Sequence, residues 1–192
     1  MAWVSARTII TSLSLFHITL AFFFFTNPSM IEDQSLVYVF GEAMGMPQAG
    51  SAFSTPSPSN AFLGVVLLVL GVSDLVSLSA LPEEAWLVHH WPAQAPLRCF
   101  VFVALAVFAY ATNSPAGRAD PSKGRMSHPR APWVGADYGT RGGGAEGLRN
   151  RVFFTFAFVE FMFWYWAWTT LKEESRAFLE KKRQRAGPGA DD

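Results

Sequence analysis

Three ionisable residues stand inside long apolar runs: His17 in TIITSLSLFHITLAFFFFT, Asp74 in AFLGVVLLVLGVSDLVSLSAL and Glu160 in VFFTFAFVEFMFWYWAWTTL. An acid at the centre of a membrane span costs at least about 2.5–3.5 kcal/mol on insertion scales, so each has to have a use. His17 and Glu160 fall near mid-span. Asp74 sits a few residues to one side, an offset of about 5–8 Å at helical rise. The three can therefore meet in one bundle interior. Two chemistries fit such a meeting. A histidine between two carboxylates can pass protons or hold a cation. The same groups can instead act as polar glue, His17 donating to a carboxylate while Ser and Thr hydroxyls complete the shell; such contacts average under about 1 kcal/mol but fix helix orientation. Glue is the expectation, relay the alternative, and contact with a lipid headgroup or partner helix the third reading. At the ends of the runs, Arg98 is expected to snorkel to headgroups, and Trp164 and Trp166 to sit in the interfacial aromatic belt, making these three the candidate interface residues.

The elements that position these groups follow from hydropathy. Charged residues make up only 16% of the 192-residue chain, and they cluster outside the apolar blocks. The reading is an all-α, four-span transmembrane helical bundle, with spans at about 8–26, 61–81, 97–112 and 152–171, each near the ~20 residues that cross a ~30 Å hydrocarbon core. The first run follows Arg7, as a signal peptide would. It is longer than a signal core and lacks a small-x-small cleavage site, so a retained span is expected. Asn27-Pro28 ends it. Leu36, Val37, Phe40 and Met44 fall on one helical face, which predicts one interfacial amphipathic helix at about 31–46, lying on the bilayer or packed on the span ends. Residues 47–60 and 113–150 read as flexible loops, and 186–192 as a disordered tail after a single membrane domain, 1–185. In the second span Gly64, Gly71, Ser73 and Ser77 would let another helix approach closely. The charged run Lys172–Arg185 is expected to prolong the last helix.

Other chemistries find little support. Lys plus Arg equals Asp plus Glu, at 15 each, and the basic residues are scattered through a loop and a tail, so direct nucleic-acid binding is not expected. Cys99 is the only cysteine, which rules out an intramolecular disulfide and a four-cysteine zinc site. His89-His90 lacks the partner ligands a metal needs. No catalytic motif and no cofactor fingerprint is present; the Gly-rich stretch near 142–147 is not followed by the Gly-Lys-Ser/Thr of a phosphate loop. The partners expected are the lipid bilayer and a further membrane protein or lipid. The tail after Leu171 is basic and the 27–60 loop holds no basic residue, which favours both termini on the cytosolic side, although loop 113–151 is basic too. Arg183-Gln184-Arg185 has the form of an arginine-type endoplasmic reticulum retrieval signal, or of a basic cluster reading anionic lipid.

Taken in order, LFHITLAFFF, VFGEAMGMP, GVSDLVSLSA, PLRCF and FAFVEFMFWYWAW resemble the fungal family named "increased loss of mitochondrial DNA protein 1". The resemblance covers most of the chain outside the 47–60 and 113–150 loops. It implies a small multi-span protein of the endoplasmic reticulum that is linked indirectly to mitochondrial genome maintenance and has no assigned catalytic residues. Mitochondrial membrane residence is the alternative, but the N-terminal stretch does not read as an Arg-rich amphipathic transit sequence.

Overall fold

The computed structural model describes residues 4–49, 53, 56–112 and 146–187. Of the loop expected over 113–150 and the tail expected over 186–192, residues 113–145 and 188–192 lie outside the described residues, while Glu146–Leu148 form one turn of 3-10 helix and Ala186 ends the last helix. Every regular element among the described residues is helical, and four helices are long and apolar enough to cross a membrane.

The first, α1 (Ala6–Thr26), is capped by Ser5, whose Oγ accepts from the Thr8 N–H at 3.2 Å. It stops at Asn27, which has left the helical conformation (φ −155°, ψ 85°) ahead of Pro28. Two short helices follow, α2 (Ser29–Glu32) and α3 (Ser35–Ala43). The single interfacial helix expected over 31–46 is thus divided. Gln34 adopts an extended backbone between the two, and the turn it makes lets Ile31 and Val37 enter the same apolar cluster with Phe24, Leu67 and Val152.

The GEAMGMP stretch ends α3 with a Schellman cap. Gly45 takes φ +63° and donates to the Glu42 carbonyl at 3.1 Å, while the Met46 N–H reaches the Gly41 carbonyl at 2.8 Å. The reversal buries Met46 against Ala106, Ala109, Phe154 and Ala157. It also brings the Pro47 carbonyl to the Arg151 N–H at 3.0 Å, satisfying an otherwise unpaired donor at the start of the last helix.

Helix α4 (Pro58–Ala80) begins with Pro at its first position behind a Ser57 cap. A six-residue π-helical turn, Ala85–His90, then leads directly into α5 (Trp91–Thr112). The third span expected at 97–112 therefore starts much earlier, and residues 85–96 belong to the helix. Pro92 and Pro96 gave that stretch the look of a connection. The Trp91 N–H bonds the Trp86 carbonyl, five residues back, which widens the helix just before Pro92, where a regular turn would crowd the proline ring against the carbonyl four residues earlier.

The last helix, α6 (Arg151–Ala186), is capped by Asn150, whose Oδ1 accepts from the Phe153 N–H at 2.8 Å. Its 36 residues span about 54 Å, so about 24 Å of charged helix continues past a 30 Å core. That extension is tied down. Glu174 accepts from the Ala6 N–H at the start of α1 at 3.0 Å, and Lys182 reaches Glu84 at 2.6 Å.

The spans pack chiefly as two pairs, α1 with α4 and α5 with α6, and α1 also touches α6. Gly64 and Gly71 set the first pair. A Cβ on Gly71 would stand 2.7 Å from the Ser14 carbonyl oxygen and 3.2 Å from the His17 Cβ, so the backbones meet only because none is there. Ser73, expected on that contact, is exposed instead.

Candidate functional site: a buried polar chain across the four spans

The close contact at Gly71 places His17 inside the bundle, facing α6. There His17 Nε2 lies 2.7 Å from Glu160 Oε1, and both residues are buried, at 3% and 0% exposure. The second carboxyl oxygen of Glu160 accepts from the Trp164 indole N–H at 3.0 Å, one turn along the same helix. The other ring nitrogen of His17, Nδ1, is buried without a hydrogen-bond partner among the described residues.

Asp74 does not join them. It receives a bidentate pair of bonds from Arg98 on α5, Nη1 to Oδ2 at 2.6 Å and Nη2 to Oδ1 at 2.9 Å. Two parallel bonds of this kind are the strong form of a carboxylate–guanidinium contact. The Arg98 side chain is a quarter exposed and that of Asp74 is buried. Arg98, expected to snorkel toward headgroups, instead turns inward to compensate the acid of the neighbouring span.

Trp164 joins the two pairs. It was expected in the interfacial belt but has no exposed surface, while Trp166, two residues on, is exposed. The Arg98 guanidinium carbon stands 4.6 Å above the Trp164 ring and 5.5 Å from that of Trp91, and the two indoles stack at 5.7 Å and 19°. One face of the Trp164 ring thus meets a cation while its N–H meets an acid. The resulting chain, His17–Glu160–Trp164–Arg98–Asp74, takes a member from each of α1, α6, α5 and α4.

The buried acids were visible in the sequence because apolar neighbours make a charge conspicuous. The links were not. Arg98 lies two turns inside a helix that begins at Trp91, and Trp164 is buried although aromatic residues crowd the end of its span. The signal available was that an intramembrane aspartate calls for a cation, and Arg98 is a cation bordered by apolar sequence.

At the opposite end of the bundle, Gly41 of α3 lies against the side chain of Arg151, where an added Cβ would come within 2.5 Å. The Arg151 guanidinium lies 5.7 Å from the Tyr38 ring. Among the described residues no group of three or more His, Cys, Asp or Glu side chains could hold a metal ion.

A four-helix membrane bundle whose buried charges pair across spans is an integral membrane protein. The chain belongs to the Ilm1 family, increased loss of mitochondrial DNA protein 1, whose family model matches residues 4–181. Comparisons with curated proteins and with solved structures found no match. The family name carries a role in mitochondrial DNA maintenance, and a membrane-spanning protein is compatible with it.

Proposed function

We propose that this chain is a non-enzymatic membrane factor of the endoplasmic reticulum that supports mitochondrial DNA indirectly, by binding a partner membrane protein or a lipid. The observation that carries this reading is the pairing of the buried ionisable groups. His17 bonds Glu160, Asp74 bonds Arg98, and Trp164 seals the gap between them, an arrangement suited to fixing four helices. A proton or cation carrier, the competing reading, calls for the same acids to line a wet cavity. Two cavities in the bundle, of about 620 and 850 Å³, are lined by other residues. Helix α4 supports the binding half of the proposal: Phe62, Val69 and Val76 on its outer side are more than half exposed, an apolar surface for lipid or a partner helix.

The test is flux. Purified full-length protein in phosphatidylcholine vesicles should pass protons and potassium no faster than protein-free vesicles under an imposed potential. Flux abolished by Glu160→Gln would replace the proposal with the carrier reading. In parallel, a tagged chain should co-localise with endoplasmic reticulum membranes; a purely mitochondrial signal would remove that part of the proposal.

A further inference from the structure

The end of the bundle away from Ala6 and the extension of α6 carries two neighbouring cavities of opposite character. One, of about 620 Å³, is polar and lined by Glu32, Asp33, Tyr38 and Arg151 among others. The second, of about 850 Å³, is walled mainly by apolar side chains such as Leu20, Phe23, Val37 and Phe156. Gln48 lines both. Each is within the range of small-molecule sites.

Two buried polar atoms lack partners there. Arg151 is 8% exposed, its Nε has no hydrogen-bond partner, and none of the ion pairs among the described residues involves it. Its side chain lines the polar cavity. Thr155, 3% exposed, has an unpartnered Oγ1 and lines the apolar one. Buried donors without partners are rare enough to call for a ligand or a water.

The charges define that ligand. A buried guanidinium with an open donor calls for an anion, and phosphate suits it best. Glu32 and Asp33 border the same cavity and oppose a ligand that is only anionic. One Glu32 oxygen is engaged by the Ala49 N–H at 3.2 Å, and Asp33 is exposed at the rim. A molecule with a phosphate and an ammonium a few ångströms apart satisfies all three. Thr155 lies one turn from Arg151 on α6, about 6 Å along the axis, where an ester oxygen follows a phosphate. The apolar cavity beyond it takes a hydrocarbon chain. We infer that these cavities form a site for one zwitterionic glycerophospholipid, its phosphate on Arg151, its ammonium on Asp33 and Glu32, an ester oxygen at Thr155 and an acyl chain among Leu20, Phe23 and Phe156. This rests on the lipid half of the proposed function and adds a headgroup class and an address.

The experiment uses full-length protein in dioleoyl phosphatidylcholine vesicles doped with a diazirine-acyl phosphatidylethanolamine or, at the same mole fraction, a diazirine-acyl phosphatidic acid. After illumination, the labelled peptides are mapped. The ethanolamine lipid should label peptides containing Leu20 or Phe156 more strongly than the phosphatidic acid does. Arg151→Gln should lower that labelling about tenfold, the loss expected for one charge-assisted bond, while Arg151→Lys keeps part of it. Asp33→Asn changes an exposed residue, so it reports even if Arg151→Gln fails to fold; it should reduce the preference for the ethanolamine lipid. Equal labelling by both lipids, or labelling that ignores Arg151→Gln in folded protein, overturns the headgroup assignment. Label confined to the outer side of α4 overturns the site but leaves lipid binding standing. No specific label from either lipid removes the site and the lipid half of the function together.

Discussion

At the scale of single residues, the bundle turns on Trp164. Its N–H serves Glu160 and its ring face serves Arg98, so the two functions can be separated. Trp164→Phe keeps an aromatic face and loses the donor, at a cost of about 1 kcal/mol. Trp164→Ala loses both and leaves a cavity, at about 3–5 kcal/mol. Unfolding in mild detergent should rank the two in that order. A double-mutant cycle of Asp74→Asn and Arg98→Gln should give a favourable coupling of about 1 kcal/mol, with the double variant more stable than the single changes predict by addition. Zero coupling would mean the pair adds nothing. The cost of burying His17, Asp74 and Glu160 was legible in the sequence because it depends only on the apolar residues beside each one. Their partners depend on how four helices are rotated, which no local pattern states. Asp74 was therefore grouped with His17 and Glu160 when its partner is Arg98.

At the scale of elements, glycines and caps decide which helices meet. Gly71→Ala would press a Cβ onto the backbone oxygen of Ser14, an atom that cannot move without the helix. It should separate α1 from α4 and weaken disulfide crosslinking between cysteines placed across that pair. Gly45→Ala has open space around it and should cost only about 1–2 kcal/mol, through its left-handed backbone. The extension of α6 has a pH-dependent contact. The ammonium of Lys182, bonded to Glu84, holds that carboxyl below its ordinary value of 4.5. A lowered carboxylate value means the contact supports the fold above that value and is lost as pH falls through and below it. Amide exchange in 172–185, corrected for intrinsic rate, should rise in acid for the native chain and show no such rise for Glu84→Gln. Both groups are exposed, so the effect should be small and reduced by salt. Helices α1, α4 and α6 start within three residues of the expected 8, 61 and 152, because hydropathy marks where polar sequence gives way to apolar. The third was cut short because Pro92 and Pro96 signal a break that the π-helical turn absorbs. One interfacial helix over 31–46 is expected because Leu36, Val37, Phe40 and Met44 share a helical face, but that face begins only after Gln34, where the backbone is extended.

At the scale of the whole molecule, the start of α1 and the extension of α6 share one end of the bundle, held by the Ala6–Glu174 bond, while α3 and two cavities lie toward the other. Cysteine-labelling of intact microsomes should therefore find positions in 172–185 and positions in 35–48 on opposite sides of the membrane; labelling of both from one side would contradict the four-span arrangement. The wide apolar surface of α4 gives the molecule a place to meet lipid or a partner. On the proposed reading, the buried acids hold the bundle together without carrying charge through it. The most direct test is complementation of a strain lacking this protein by Glu160→Gln and by Asp74→Asn, scored for mitochondrial DNA retention with protein level measured alongside. Both substitutions keep size and remove ionisation; Glu160→Gln can still bond His17 and Trp164, whereas Asp74→Asn has one acceptor oxygen and keeps one of the two bonds from Arg98. Full retention is expected wherever the variant reaches the native level. A variant that reaches the native level and still loses mitochondrial DNA would contradict it.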